Sequence, residues 1–478
     1  MEKVVWDLKS QLEKFDATEK VFDCMVAEFL LCDGRYIPQE DKALIDYKVA
    51  SLEELAQKQK ERLEELPKLK KLYYDIELPL VLILGQMEKN GIMLDTQCLG
   101  KVGLELDKAI SEIEDKIKKE IGVDINLNSS IQIGNFLAEK VSVPLSKTKT
   151  GRYATNEQEI SQFAKDFPIV ADLLIYRELS KLRSTYVASL IDKVDGQGRV
   201  HTSYNQVAVS TGRLSSANPN LQNIPVTSEF GQKIKSCFVA SPGHVLLSFD
   251  YSQQELRILA HLTGEERLIE AFIHAQDVHK TTATQLFHVS YEDVTKDQRS
   301  VAKTINFGII YGMSSFGMSQ GLTIPVDEAQ AFIDTFYATY PKIRSFYDHY
   351  LKQGQIDGYV ETLLGRRRTV FAYPGQKFID NSMRRVLMNY PIQGTAADLM
   401  KKAMVDIDRE ILQKNKDVKL LLQIHDDLVF EVSHDPKIYS PLMQQIKDLM
   451  CGVYKLSVPI EVDVKMGKNW GEMGKVSS

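Results

Sequence analysis

Apolar and polar positions alternate along the chain with two different periods. Leu106, Ile110, Ile113 and Ile117 recur at steps of three and four among charged residues, which predicts an amphipathic helix. Asn126-Leu127-Asn128-Ser129-Ser130 breaks that pattern and supplies a cap for the next helix. A polar, basic loop follows at Lys147–Arg152, and a second long helix is expected from about Phe167 to Leu190. Two long helices with a polar tip predict a projecting arm over residues 98–190. Strand-like alternation then takes over, as in Arg199-Val200-His201-Thr202-Ser203-Tyr204 after the Gly196-Gln197-Gly198 turn. Residues 263–385 return to helix. The last stretch contains two apolar runs, Leu420–Ile424 and Leu428–Val432, separated by so few polar residues that they read as a tight hairpin.

The first 75 residues mix short apolar runs with charged helical stretches. Ser51-Leu52-Glu53-Glu54 has the form of a capping box. Glu77–Leu84 opens an apolar segment that ends at the turn signal Asn90-Gly91. With 478 residues the chain has room for about three domains. No stretch approaches the ~20 consecutive apolar residues of a membrane span, and Met1–Asp7 has no apolar signal core, so a cytoplasmic or equivalent compartment is expected, with no membrane partner. The five cysteines form no Cys-x-x-Cys pair with one another, which argues against zinc and predicts reduced, mostly buried thiols. The net charge of −6 does not favour nucleic acid, but binding needs only a local cationic surface. Candidates for one are Arg366-Arg367-Arg368 and Arg384-Arg385, whereas Lys68–Lys71 reads as a solvated face.

Chemistry concentrates at three places. The apolar run Val245–Phe249 delivers Asp250 into Asp250-Tyr251-Ser252-Gln253-Gln254-Glu255-Leu256-Arg257. The run Leu420–Ile424 delivers His425-Asp426-Asp427. Between them Arg299, Lys303, Phe307 and Tyr311 sit at steps of four, so they share one broad helix face. Carboxylates at strand ends suit magnesium, which takes one or two of them plus substrate phosphates. Cations at helical spacing suit phosphate oxygens, and neighbouring aromatics offer a base a flat surface. Any one of these residues has a plainer reading as a turn aspartate or an amphipathic helix. Together they describe phosphoryl transfer with two metals. Glu255 keeps two readings, because Ser252-Gln253-Gln254-Glu255 is also a capping box. Thr211–Ser216, Asn220–Pro225 and Gln393–Asp398, where another helix is expected to begin, add polar side chains suited to sugar, phosphate and base edges.

These motifs resemble those of the bacterial DNA polymerase I family, family A, from about residue 76 to Gly467-Lys468-Asn469-Trp470. The resemblance implies an α+β right hand: a palm of antiparallel sheet plus helices, with helical fingers and thumb. The implied boundaries are a truncated, inactive 3′–5′ exonuclease-like α/β region at 1–75, a linker at 76–97, the thumb at 98–190, palm at 191–262 and 386–478, and fingers at 263–385. It implies two Mg²⁺ ions, with Mn²⁺ as a substitute, on Asp250, Asp426 and the Tyr251 backbone, with Asp427 as a possible accessory ligand. It further implies that Arg299, Lys303 and His279 contact the triphosphate, with Lys303 among the catalytic residues. Phe307 and Gln254 would meet the nucleotide, Tyr311 would sit at the template-base position, and Glu255 would block a ribose 2′-hydroxyl. Arg213, Asn220, Gln222, Asn223, Asn389, Gln393, His425, Asn126 and Ser129 would contact DNA. The implied partners are primer-template DNA and deoxynucleoside triphosphates, acting on a monomer.

Two departures stand out: Asp427 replaces the family's Glu, one methylene longer, and Ser300 follows Arg299 where a second Arg is common. No proofreading is expected. Ser10 stands where the exonuclease aspartate would be, Asp16-Ala17-Thr18-Glu19 has the wrong spacing, and Asp75-Ile76-Glu77 falls in the expected linker. Nor is a 5′ nuclease domain expected. Rival readings are a polymerase with strong RNA-template use and a catalytically dead DNA-binding scaffold; joint retention of Asp250, Asp426, Arg299 and Lys303 disfavours the second.

Overall fold

The computed structural model describes residues 2–15, 19–122, 125–225, 228–370 and 379–476. At its centre lies a five-stranded antiparallel sheet in the order Val418–Ile424, Asp427–Ser433, His244–Tyr251, Val462–Gly467, Gly474–Lys475. Because side chains alternate across a strand, the central strand serves two cores. Val245, Leu247, Phe249 and Tyr251 enter the larger one, where the Phe249 and Phe430 rings meet edge to face at 5.5 Å. Leu246 faces the other core with Leu422, Val429 and Trp470.

The expected hairpin forms, with His425 and Asp426 as its two loop residues and His425 left-handed at φ 53°. The expected arm also forms. Its first helix is Thr96–Ile121, burying Leu106 and Ile117, and its second is Pro168–Lys181, continued by wider turns to Ile191. Ser129 caps the short helix Ser130–Asn135 as expected, accepting from the Gln132 amide at 3.4 Å. Ser51 caps Leu52–Glu64, but Glu54 returns to the Ala50 amide rather than to Ser51, so the box is only half formed.

Several expectations are corrected. Residues 76–97 contain the helix Leu78–Asn90, whose Leu80, Leu84 and Met87 lie in the main core while Val81 belongs to the N-terminal core. An apolar helix bridging two cores is a structural member rather than a linker. The region 263–385 also holds a hairpin, Tyr359–Glu361 with Arg367–Thr369. Gln393 does not begin a helix; it lies inside Asn381–Ile407, which runs past Pro391. Cys98 and Cys237 are not free thiols but a disulfide with Cα atoms 5.5 Å apart. Leu94 pairs with Phe238, and the Asp95 amide donates to the Cys237 carbonyl, so the arm's first turn is delivered onto Cys237 from 139 residues away. Cys24, Cys32 and Cys451 are free.

The Arg366–Arg368 run is not a cationic surface either. Arg366 is buried against Glu77 and Asp398, and Lys401 donates to the same Glu77 at 2.8 Å. Thr362 donates to Asp398 at 2.7 Å, and the Gln206 amide reaches the Glu77 carbonyl at 2.7 Å. Arg367 covers the Tyr359 ring, and Arg368 donates to the Gly34 carbonyl. Burial alone would push the Glu77 carboxyl up, but Arg366 and Lys401 outweigh it and hold the group below the usual carboxylate range. Glu77 is thereby a structural ion in the helical passage from the N-terminal region. The Asp16-Ala17-Thr18-Glu19 string begins outside the described residues, and the Ser10 hydroxyl donates to its neighbour Asp7.

Removing one member of a buried ion network strands its partners. Glu77→Ala is expected to cost about 3–5 kcal/mol in denaturant unfolding. A loss below about 1 kcal/mol would show that the network is not a keystone of the fold.

Candidate active site

The register of the central sheet sets Asp250 directly opposite Asp427 on one side and Asp463 on the other. Asp426 sits at the adjoining hairpin tip, its carbonyl accepting the Tyr251 amide at 3.0 Å. Thus the two ends of the chain's acidic motifs meet within one backbone hydrogen bond. The Asp250 and Asp426 carboxylates are half-buried and have no hydrogen-bond donor or ion-pair partner among the described residues. Burial raises both above the usual carboxylate range. For Asp250, Lys465 and Lys235 counter this while Asp426 and Asp463 add to it; for Asp426, Arg213 and His425 counter it. Like charges left together without donors suit a hard cation.

Asp427 differs. The Ser248 hydroxyl lies 2.8 and 2.9 Å from its two carboxylate oxygens, and burial, with Asp250 beside it, pushes it up to about 7. Among the described residues no set of three or more His, Cys, Asp or Glu side chains is arranged to hold a metal alone. Asp250 and Asp426 therefore fit a cation that draws its remaining ligands from a substrate.

An open cavity of about 430 Å³ is walled by the helix Lys296–Ile310 and reaches Asp426 but not Asp250. Thr295 caps that helix in a complete box with Gln298, which fixes its start one turn before Arg299. Arg299, Lys303, Phe307 and the C-terminal Tyr311 all line the cavity, as their spacing predicts. The Phe307 and Tyr311 rings stack at 6.3 Å. Arg299 is held by Asp277 at 2.6 Å. His279 lines the same wall from the neighbouring helix Val278–Phe287, its ring 5.6 Å from Phe307.

The opposite wall holds Arg213, Gln253, Gln254, Glu255, His425 and Asp426. Ser252 does not cap the helix Gln254–Thr263. Gln253 takes the cap position in the left-handed region at φ 52°, without a side-chain bond. That geometry turns the buried Glu255 away from the helix end and into the cavity wall, where it accepts from Arg213 and, at 2.7 Å, from the Tyr311 hydroxyl. Of the two readings of Glu255, the capping box is excluded. Both polar atoms of the buried Gln254 side chain lack a partner among the described residues. Arg213 reaches Glu255 from a loop whose Gly212 has φ +81° and would press a Cβ to 2.5 Å from the Arg366 guanidinium, so no larger residue fits there.

Not every expected residue comes to the cavity. Gln222 borders only a smaller adjoining hollow, where its amide reaches the Gln423 carbonyl at 3.2 Å; His425 lines both this hollow and the cavity. Asn220 caps a short turn, and Asn223 accepts the Tyr186 hydroxyl through its carbonyl. Asn389 donates to the Tyr311 carbonyl at 3.4 Å, and Gln393 lies one turn further along the same helix. Asn126 and Ser129 lie on the projecting arm and, among the described residues, make only local turn contacts. Ser248, Lys465, Asp277 and Asn306 also touch or face the site residues, and the sequence pattern does not single them out. Of these, Asp277 carries a legible signal, as an N-cap aspartate two residues before His279.

Residues 96–472 match the model of DNA polymerase family A. DNA polymerase I of Chloroflexus aurantiacus is 43% identical over 430 residues, covering 88% of this chain and 45% of that protein. The thermostable DNA polymerase I of Thermus aquaticus is 43% identical over 414 residues, covering 86% and 49% respectively. The chain spans about half the length of these relatives. Among solved structures, the POL domain of Pol1 from M. smegmatis, in complex with DNA primer-template and dNTP, superposes with a TM-score of 0.88 at 33% identity, covering 94% of this chain and 82% of that one.

Unpaired, desolvated acids are a cost to the folded state that a neutral amide relieves. Asp426→Asn is expected to leave thermal stability in metal-free buffer unchanged or raise it by about 1 kcal/mol. A clear fall in the melting temperature would mean that the carboxylate is structural.

Proposed function

The chain belongs to DNA polymerase family A, and on that premise we propose that it extends a DNA primer along a DNA template, the primer 3′-oxygen attacking the α-phosphate of a deoxynucleoside triphosphate and pyrophosphate leaving. The observation that carries this reading is the shared cavity, in which a cationic and aromatic helix face stands across from Asp426 at the hairpin tip.

Asp250 and Asp426 would hold two magnesium ions, or manganese in their place, which stabilise charge on the attacking and leaving oxygens. Arg299 and Lys303 grip the triphosphate, the first as a fork and the second as a point charge. Asp277 keeps Arg299 extended along the wall until phosphate oxygens compete for it. Phe307 stacks on the incoming base, and Gln254 offers an unspent amide to the substrate. Glu255, pinned between Arg213 and Tyr311, is a rigid wall where a ribose would carry its 2′-hydroxyl. Tyr311 occupies the position that the templating base takes when the cavity closes, so base pairing must free its hydroxyl from Glu255. In this reading residues 98–190 are the thumb, 191–262 and 386–478 the palm, which holds the central sheet, and 263–385 the fingers. Arg213, Asn223, Asn389, Gln393 and His425 track primer and template near the new pair, and Asn126 and Ser129 contact duplex further along the thumb. No proofreading is proposed, and Glu77, the second acid of Asp75-Ile76-Glu77, is committed to Arg366 and Lys401.

Asp250→Ala is expected to lower primer extension about a thousand-fold or more while DNA binding persists. Extension at the parent rate would remove the metal assignment. Glu255→Ala is expected to raise ribonucleotide incorporation relative to deoxynucleotide about 10- to 100-fold, the worth of one steric contact. Unchanged discrimination in competition assays would leave Glu255 only its ties to Arg213 and Tyr311.

A further inference from the structure

The cationic wall contains one group that is not a cation. His279 is 2% exposed, and burial pushes its imidazole down to about 4, with Arg299 and Lys303 adding to the effect against the opposing Asp277 carboxylate. A ring with that value carries a single proton at neutral pH, and its usefulness depends on which nitrogen holds it. The Asn306 amide nitrogen lies 2.9 Å from Nδ1 of His279, and Asn306 itself is 1% exposed. With the amide nitrogen facing the ring, its N–H donates, Nδ1 accepts and the ring proton is left on Nε2, while the Asn306 amide oxygen has no partner among the described residues. No described residue takes a hydrogen bond from Nε2, while the His279 side chain lines the cavity beside Arg299 and Lys303.

Backbone geometry makes this arrangement stiff. Asp277 caps the helix Val278–Phe287, accepting from the amides of His279 at 3.0 Å and Lys280 at 3.1 Å, which anchors the first turn that carries the ring. Asn306 sits on Lys296–Ile310 immediately before Phe307, on the buried side of that helix. The aromatic that faces the cavity and the amide that orients the histidine are therefore adjacent in sequence, about 100° apart around one helix turn, and both reach the His279 ring.

We propose that Asn306 is a positioning residue for nucleotide binding: by donating to Nδ1 it holds His279 as the neutral Nε2–H tautomer and aims a single directional donor at the phosphate oxygens of the substrate. This rests on the reading of the cavity as a triphosphate site. Arg299 and Lys303 already supply positive charge there, and a third cation would repel them. A neutral donor adds orientation without that repulsion, and it does so at any pH at which the ring stays unprotonated.

The test is long-range proton–nitrogen correlation on the full chain labelled with ¹⁵N-histidine, without metal or nucleotide, using His279→Gln to assign the ring. The expected spectrum shows protonated Nε2 and bare Nδ1 from pH 6 to 8. A ring protonated on Nδ1, or an imidazolium at pH 7, overturns the proposal. Asn306→Asp replaces the donor by an acceptor, so the ring is expected to gain a proton on Nδ1 and to titrate within that pH range; an unchanged spectrum overturns the proposal as well. Asn306→Ala is expected to raise KM for deoxynucleotide about 10-fold, the loss of one hydrogen bond to a charged group, with kcat changed far less. An equal fall in kcat with KM unchanged would assign Asn306 to general packing instead. If the variants fail to fold, the parent spectrum decides alone. Primer extension by a parent chain whose ring is protonated on Nδ1 would remove this inference and leave the proposed function. An Nε2–H ring without any extension would remove the function and the phosphate role with it.

Discussion

The strand pairing of His244–Tyr251 is the constraint on which the site depends. A strand has a side-chain period of two, so a slip of one residue would carry Asp250 into the core and bring Phe249 or Tyr251 to the acidic face. Nothing in the carboxylates themselves prevents this, since they repel. The register is held by what lies on the other face: Phe249 against Phe430, with Leu247, Leu428 and Val432 around them. Hydrophobic packing thus supplies the free energy that holds mutually repelling groups at the end of three strands.

The molecule treats charge in two opposite ways. At Glu77, Arg366, Asp398 and Lys401, four buried ions are paired among themselves, and the result joins the N-terminal region, a hairpin and a long helix. At Asp250 and Asp426 the carboxylates are left without donors among the described residues, although lysine, arginine and histidine side chains lie near. Asp427 marks the boundary between the two treatments: it belongs to the acidic motif, yet its oxygens are satisfied by Ser248. On the proposed reading, the unpaired acids are where the substrate completes the structure. The Gly212 turn connects the regimes, since it packs on Arg366 and delivers Arg213 to Glu255.

Features that repeat along the chain were legible in the sequence. The arm, the hairpin and the shared face of Arg299, Lys303, Phe307 and Tyr311 all follow from local periodicity, and each motif lies on one element. What was hidden depends on contacts between distant segments. Cys98 meets Cys237 only because the short strand Ile92–Leu94 pairs with Phe238–Val239. Arg366 reads as one of three surface cations until the Glu77 helix crosses it. Glu255 fits a capping box until the left-handed Gln253 removes the cap, a backbone choice that no pattern of residue types encodes. Asn306 is invisible for a simpler reason: one amide in a helix has no meaning until its neighbour on another helix is known.

On the proposed reading, acids far apart in sequence share cations at one place. Iron(II) bound where magnesium would bind, with ascorbate and peroxide, generates hydroxyl radicals that cut the nearest backbone. The measurement is the position of those cuts in the chain bound to primer-template DNA and a nucleotide. Shared cations predict paired cleavage near Asp250 and near Asp426, both suppressed by excess magnesium. Cleavage at only one of them, or at neither, would contradict it.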